Sequence, residues 1–486
     1  MQRGTGVIST RRTTAGLLVV LAGGIWGAGC REQTDMQRVP AAPRTVQGQE
    51  EKQDADRQRL QELILQLKHP DAEKRMEAAH RLGQMGASAK PAVASLAEAL
   101  RDKEEKVRMS AASSLAHMGK AAEAAVPALI EVCLNDGAEK VRSQAAYALG
   151  EIGPVTQEVV PSLRRALHDK SPDVRSAAVA AVWRIGSEAK DAVPDLIPRL
   201  KDPDRGNRYA AAQALARMGP AAEPAVPALV EALQDKEDMV REGGARALGA
   251  IGATAKEAAP ALVRAYRSSQ NPKVRGSALY ALGLIGPVTG EVVPTLIAGL
   301  RDENRDVREN AALALFFVGP EAKDAAPGLM RVLEDQSPEV RYRAAQALGK
   351  IGLAAKGAAP ALERLAGPVR PQRKQASPLE PLEAEIRVAA AYALYRVTGT
   401  PEKALPLLLR ELEGFEASGQ GNALDVIGIL GEMGADAKEA IPVLERLQRT
   451  SEVVENRAVA RVGPSTAREC AGEALKKIRT ALERKP

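Results

Sequence analysis

The sequence predicts an all-α fold: a right-handed α-solenoid, or superhelix, of about twelve stacked helix pairs. Three observations predict it. An arginine recurs every 33 or 34 residues, at Arg75, Arg108, Arg142, Arg175, Arg208, Arg241, Arg275, Arg308 and Arg341. The same motif surrounds it, Val-Arg-x-x-Ala-Ala-x-Ala-Leu-Gly-x-Ile-Gly, clean at Val141–Gly153 and again at Val340–Gly352. Finally, 486 residues exceed one core, because cores stop growing near roughly 250–300 residues. A repeat array escapes that limit, since each unit packs only on its neighbours.

The amino terminus reads as an address. Arg3, Arg11 and Arg12 precede an apolar run from Ala15 to Ile25, followed by Gly27-Ala28-Gly29-Cys30. A basic segment, a short apolar segment and small residues before a cut are the parts of an export signal. The run is too short for an ordinary membrane span. Cysteine directly after Gly-Ala-Gly resembles the lipobox of bacterial lipoproteins, although Gly27 stands where that family usually has leucine. The resemblance implies that Cys30 carries lipid and becomes the mature first residue. Arg11-Arg12 also resembles a twin-arginine export signal, with Thr14-Ala15 in place of the usual bulky apolar pair. Residues 1–30 are therefore expected to be the signal, and the chain to be exported to the cell envelope, membrane-tethered or periplasmic. Residues 31–53 are polar, with Pro40, Pro43 and many Gln, and are expected to be a disordered tether.

From residue 54 to 365 the repeats are regular. In Ala253–Gly286 a proline, Pro260, opens a first helix, where its missing N–H costs little. A polar turn and Val-Arg begin the second helix, which ends at Ile-Gly, a glycine suited to a left-handed cap. Counting the arginine as position zero, +7 is Leu or Val throughout (Leu82, Leu115, Leu149, Val182, Leu215), +10 is Met, Ile or Val, and +3 is Ala or Gly. At 100° per residue these share one buried stripe. Small residues at +3 let helices approach closely. Gly243-Gly244 weakens its helix by roughly 1 kcal/mol per glycine. Pro198 falls inside a first helix and should bend it.

The arginine itself points toward the buried side, where a lone charge is costly. Asp102, Asp136, Asp169, Asp202, Asp235, Asp302 and Asp335 stand six residues before Arg108, Arg142, Arg175, Arg208, Arg241, Arg308 and Arg341. The simplest arrangement is a structural Asp–Arg ladder running along the stack. Arg241→Ala is then expected to destabilise the fold by a few kcal/mol.

Taken together, the proline helix, the Asp turn, the Val-Arg start and the Leu-Gly-x-Ile-Gly end resemble HEAT-like repeats, in particular those of phycobilin lyases, over about residues 55–483. The likeness is specific for fold and poor for function, because many unrelated proteins share the repeat. Regularity breaks at 366–383, a Pro-rich, basic segment expected to be an inserted loop. Arg387 follows Arg341 by 46 residues. Residues 384–486 read as further HEAT-like repeats, with a second insertion near Ser451–Thr466 and a cap helix Ala467–Arg484.

Composition narrows the function. A net charge of +6 is spread over 68 basic and 62 acidic residues, whereas a nucleic-acid binder would carry a clustered basic face. Cys30, Cys133 and Cys470 lie too far apart for a disulfide framework or a metal; Cys133 and Cys470 read as small core residues. His69, His80, His117 and His168 have no metal-ligand spacing and read as solvated. No His-Glu dipeptide occurs, so the iron site of HEAT-type deoxyhypusine hydroxylases is missing, and no glycine-rich phosphate loop follows a strand. No catalytic residue, metal or cofactor is expected. The chain has only two Trp, seven Tyr and three Phe. Most of these rings lie in second helices, which in HEAT-like folds line the concave face. Tyr, Trp and Arg are the usual anchors of protein interfaces. The expected site is therefore a protein- or peptide-binding concave face formed by Tyr147, Trp183, Tyr209, Arg246, Tyr280, Phe317, Tyr342 and Tyr392. The reading is of a non-enzymatic scaffold. The alternatives from other classes are a phycobilin-lyase-like or chaperone-like enzyme or accessory factor, and a HEAT-type nucleic-acid-binding protein.

Overall fold

The computed structural model describes residues 46–367, 380–418, 422–450 and 464–484, and every regular element among them is a helix. The chain divides into two units, Met1–Arg57 and Gln58–Pro486. In the first, the described residues belong to the helix Val46–Gln66. Residues 46–53, at the end of the tether expected over 31–53, are helical, and residues 31–45 lie outside the described residues. In the second unit, Leu60, Leu63 and Leu67 are buried. The apolar run 15–25 and Cys30 lie outside the described residues. Among the described residues no helix is long and apolar enough to cross a membrane.

The second unit is a stack of helix pairs, each second helix packed against the next: Glu139–Ile152 on Pro172–Ile185, Asp238–Ile251 on Pro272–Ile285, Pro272–Ile285 on Arg305–Val318. The +7 residues Leu82, Leu115, Leu149, Leu215, Leu248, Leu282, Leu315 and Leu348 are all completely buried. Each contributes about 1.5–3 kcal/mol by leaving water. Most second helices lead into a short 3₁₀ segment such as Gly119–Ala125, and the next first helix, here Val126–Asn135 with Pro127 in its first turn, continues from it. Pro198 converts its first helix from α (Val193–Leu196) to 3₁₀ (Ile197–Lys201).

The stop glycines differ from the left-handed cap the sequence suggests. Gly119 has φ 54° and ψ −136°, and Gly286 has φ 93° and ψ 178°. Positive φ with extended ψ is a region that only glycine enters readily. The preceding glycine of Leu-Gly-x-Ile-Gly has a separate purpose. A Cβ on Gly150 would lie 2.6 Å from the Ala181 backbone, and one on Gly283 would lie 2.5 Å from that of Ala314. The glycine at +8 thus lets the next second helix approach through its +6 alanine. Gly243 and Gly244 are explained in the same way. Added methyls would press on Tyr209 at 3.1 Å and on Ala232 at 3.3 Å; close packing there offsets the weak helix propensity.

The arginines and aspartates form bidentate pairs, with each partner supplied by the following repeat. Arg75 Nε and Nη2 donate to Asp102 Oδ2 and Oδ1 at 2.6 and 2.9 Å. Arg108–Asp136, Arg142–Asp169, Arg175–Asp202, Arg208–Asp235, Arg275–Asp302 and Arg308–Asp335 repeat that geometry, with Nε–Oδ2 distances of 2.7–2.9 Å. The aspartate six residues earlier gives the arginine only its backbone carbonyl: Arg208 Nη1 donates to Asp202 O at 3.0 Å. Each aspartate also accepts a backbone N–H two residues on, as Asp235 Oδ1 does from Glu237 at 2.9 Å. One side chain therefore closes its own turn and holds the preceding repeat.

The Arg75 guanidinium, outweighing burial, holds the Asp102 carboxyl below the ordinary range. For Asp136, Asp169, Asp202, Asp235 and Asp335 burial pushes upward most strongly. The arginine and backbone donors together outweigh it, so these carboxyls also lie low.

Two rungs depart from the pattern. Arg241 has no aspartate in the following repeat, where Ser269 takes the place; it pairs instead with Asp238 in its own first turn. The cost expected of Arg241→Ala therefore belongs to its neighbours. Arg341 pairs with Glu383. Glu383 lies in the helix Glu380–Thr398. Residues 368–379 and 451–463 lie outside the described residues. The last helix runs Pro464–Glu483.

Candidate protein-binding face

Second helices bury +3 and +7 and leave +5 and +9 mostly toward solvent, while +8, buried where it is glycine, is open at Trp183. The rings sort by column. Tyr147 at +5, Trp183 at +8 and Phe317 at +9 are 39%, 41% and 37% exposed. Tyr209 and Tyr342 at +1 are half-buried, and Tyr280 and Tyr392 at +5 are half-buried too. Tyr209 lies against Gly243 of the next repeat and its hydroxyl is bonded to Gln213. It packs the seam between helices more than it faces outward.

Tyr147, Trp183 and the half-buried Phe316 are each held by a cation of the following repeat. The Arg184 guanidinium lies 5.6 Å from the Tyr147 ring centre and also pairs with Glu151 at 2.9 Å. Arg217 lies 5.4 Å from the Trp183 ring centre. Lys350 Nζ lies 5.6 Å from that of Phe316, and Phe316, Phe317 and Tyr280 meet edge to face at 5.7 and 5.8 Å. At such sites a cation over a ring is worth about 0.5–1 kcal/mol. Its larger effect here is to fix a ring that would otherwise lose entropy on binding.

Four of the eight expected residues thus share such contacts, Tyr147 with Arg184, Trp183 with Arg217, and Tyr280 with Phe317 beside Phe316 and Lys350, while Tyr342 meets Arg343 at 5.3 Å and Tyr209 stays in its seam. Arg246 is exposed, 3.7 Å from Glu242. Tyr392 donates its hydroxyl to Glu432 at 2.6 Å, with Arg396 5.9 Å from its ring centre. Phe316, Lys350 and Glu151 were absent from the sequence-derived set. A basic residue at +9, 34 residues beyond the ring it covers in the Trp183–Arg217 and Phe316–Lys350 pairs, was the available signal.

Chemistry elsewhere is sparse. Burial pushes the Cys133 thiol up to about 12, so it stays protonated, and Cys470 is half-buried. His168 pairs with Asp195 at 2.9 Å, and His80 contacts Gln84 at 3.0 Å. Among the described residues no group of three metal-ligating side chains comes together.

A family model for HEAT repeats matches residues 60–150, 126–216, 193–283, 259–327 and 293–377. No curated protein matches the chain. Among solved structures, importin beta crystallised with ammonium sulfate is similar at TM-score 0.55 and 16% identity, over 87% of this chain and 62% of that one. Kap95p with RanGDP is similar at 0.51 and 16%, over 92% and 66%. The Kap95:Nup1 complex is similar at 0.52 and 16%, over 91% and 66%. The chain therefore spans about two thirds of the length of these solenoids, and the likeness is one of fold. With the repeat matched over more than half its length, the chain belongs to the HEAT-repeat proteins.

Proposed function

We propose that the chain is a non-enzymatic scaffold that binds a protein or peptide on the face of its second helices. The observation that carries this reading is the set of exposed rings at Tyr147 and Trp183, each under an arginine, and at Phe317, packed edge to face on Phe316 and Tyr280, on a fold otherwise poor in aromatics. Rigid aromatics flanked by arginine are the side chains that dominate binding energy in protein interfaces. The Kap95p structures contain the protein partners RanGDP and Nup1, which agrees with a protein partner here. In this reading the stack is a right-handed superhelix of about twelve pairs with the second helices on its concave side. The scaffold works in the cell envelope, exported and tethered through a lipid on Cys30.

Proximity labelling in the intact envelope names the partner. Changing Tyr147, Trp183 and Phe317 together to Ala is expected to weaken its capture at least roughly tenfold while leaving the melting midpoint near that of the parent. Full capture by that variant moves the site elsewhere. Export and tethering are tested separately, by fatty-acid labelling of the parent and of Cys30→Ser. Equal labelling of the two removes the lipid from the account.

A further inference from the structure

At every intact rung a guanidinium edge, Nε and Nη2, faces a carboxylate delivered by the next repeat. At Arg241 the edge remains and the carboxylate does not. Arg241 keeps the cradle of its neighbours, with Nη1 on the Asp235 carbonyl at 2.5 Å, as Arg208 Nη1 sits on Asp202 O at 3.0 Å. Among the described residues no carboxylate of the following repeat reaches it. Ser269 stands at the aspartate position, and its Oγ accepts the Asn271 N–H at 3.2 Å. It therefore performs the turn-closing half of the aspartate's work and none of the pairing half. A cleft of about 490 Å³ opens at this place, lined by Arg241, Asp235, Asp238, Ser268, Ser269 and Asn271.

The charges around the cleft decide what it takes. Both oxygens of Asp235 are engaged by Arg208 and the Glu237 N–H. Arg275, whose Nη1 donates to the Ser269 and Gln270 carbonyls, is engaged by Asp302. Only Asp238 competes for Arg241, from three residues away in the same helix and 47% exposed. An exposed pair of that kind contributes little, whereas a planar carboxylate meeting both Nε and Nη2 gains a bidentate, charge-assisted contact.

We propose that the Arg241–Ser269 cleft is a carboxylate-binding site that takes an aspartate or glutamate side chain from an acidic segment of a protein partner. The slot was built to the shape of a carboxylate by the repeat itself, since seven sister rungs hold one there. The volume exceeds that of one carboxylate and leaves room for the chain that carries it. The site is independent of the aromatic face, so either can fail without the other.

The test is titration of the full chain at low ionic strength with acetyl-Glu-Glu-Glu-amide. The controls are acetyl-Gln-Gln-Gln-amide, acetyl-Gly-Gly-Gly with a free carboxyl end, and inorganic phosphate. The glutamate peptide is expected to bind. Ser269→Asp, which places the missing carboxylate in the slot, is expected to weaken it at least tenfold, and Asp238→Asn, which removes the competitor, to strengthen it severalfold. Arg241→Gln is expected to match Ser269→Asp, and serves if the latter does not fold. Unchanged binding in Ser269→Asp and Arg241→Gln, or no binding by the parent, overturns the proposal. Equal binding of the glutamine peptide or of phosphate overturns the carboxylate assignment. Binding of the free carboxyl end alone overturns the side-chain assignment.

Discussion

Arg208 and Arg241 begin adjacent second helices, sit in the same register and rest on equivalent backbone carbonyls, those of Asp202 and Asp235, yet only Arg208 reaches into the next repeat. Its side chain is 7% exposed and its partner Asp235 13%, against 25% for Arg241 and 47% for Asp238. The difference separates two ways of holding neighbouring pairs together. One seam combines apolar packing with a buried, two-pronged ion pair. The other relies on packing, in particular the approach of Gly249 to Ala281, where an added Cβ would lie 3.0 Å from the neighbouring backbone. In a stack whose stability is a sum of local and nearest-neighbour contributions, such a seam is where the array opens first.

The largest effect that sharpens this contrast is acid. The carboxyls of Asp102, Asp136, Asp169, Asp202, Asp235 and Asp335 lie below their unfolded values. Stability from these rungs is complete above the unfolded carboxylate pKa of about 4 and is lost as pH falls through the lower folded values. Denaturant midpoints should hold steady from neutral pH to about 4 and then drop steeply. A midpoint already declining by about pH 6 contradicts the ladder as the titrating element.

Next in size is the pair of arginine truncations. Arg208→Ala strands Asp235 and should cost about 3 kcal/mol in denaturant unfolding. Arg241→Ala, which gives up an exposed pair and a carbonyl contact, should cost about 1 kcal/mol or less. Equal losses erase the comparison. Gly249→Ala follows. The Ala281 backbone must shift, so about 1–2 kcal/mol should be lost, enough to raise hydrogen exchange on both sides of that seam. The smallest change is a gain: Ser269→Asp completes the rung and keeps the turn-closing acceptor, and should add about 1 kcal/mol at pH 7. That gain should vanish below about pH 4, because the new carboxyl would be held low like its sisters.

How far the sequence could be read follows from which interactions are periodic. The Leu column at +7, the proline at the start of first helices and the break after Leu365 repeat in phase with the chain, so the stack of helix pairs is visible without coordinates. The partner of each arginine is not. Two aspartates stand at fixed distances from it, six residues before and 27 or 28 after, and nothing in the spacing says which carboxylate it meets. The +8 glycine looked like part of a helix stop because it precedes one. Its packing against Ala181 or Ala314 appears only when adjacent repeats are laid together. On the aromatic face, a wheel cannot separate Tyr209, wedged against Gly243, from Tyr147, covered by Arg184 yet still open to solvent. Ser269 went unnoticed because it is an exception to a column, and one serine in a turn carries no signal of its own.

The central claim is that each ladder arginine binds the carboxylate of the following repeat and not that of its own. Two double-mutant cycles in denaturant unfolding test it directly, pairing Arg208→Ala once with Asp235→Ala and once with Asp202→Ala. The account predicts a coupling of about 2 kcal/mol for Arg208 with Asp235 and less than about 0.5 kcal/mol with Asp202. The reverse order, or equal couplings, would contradict it.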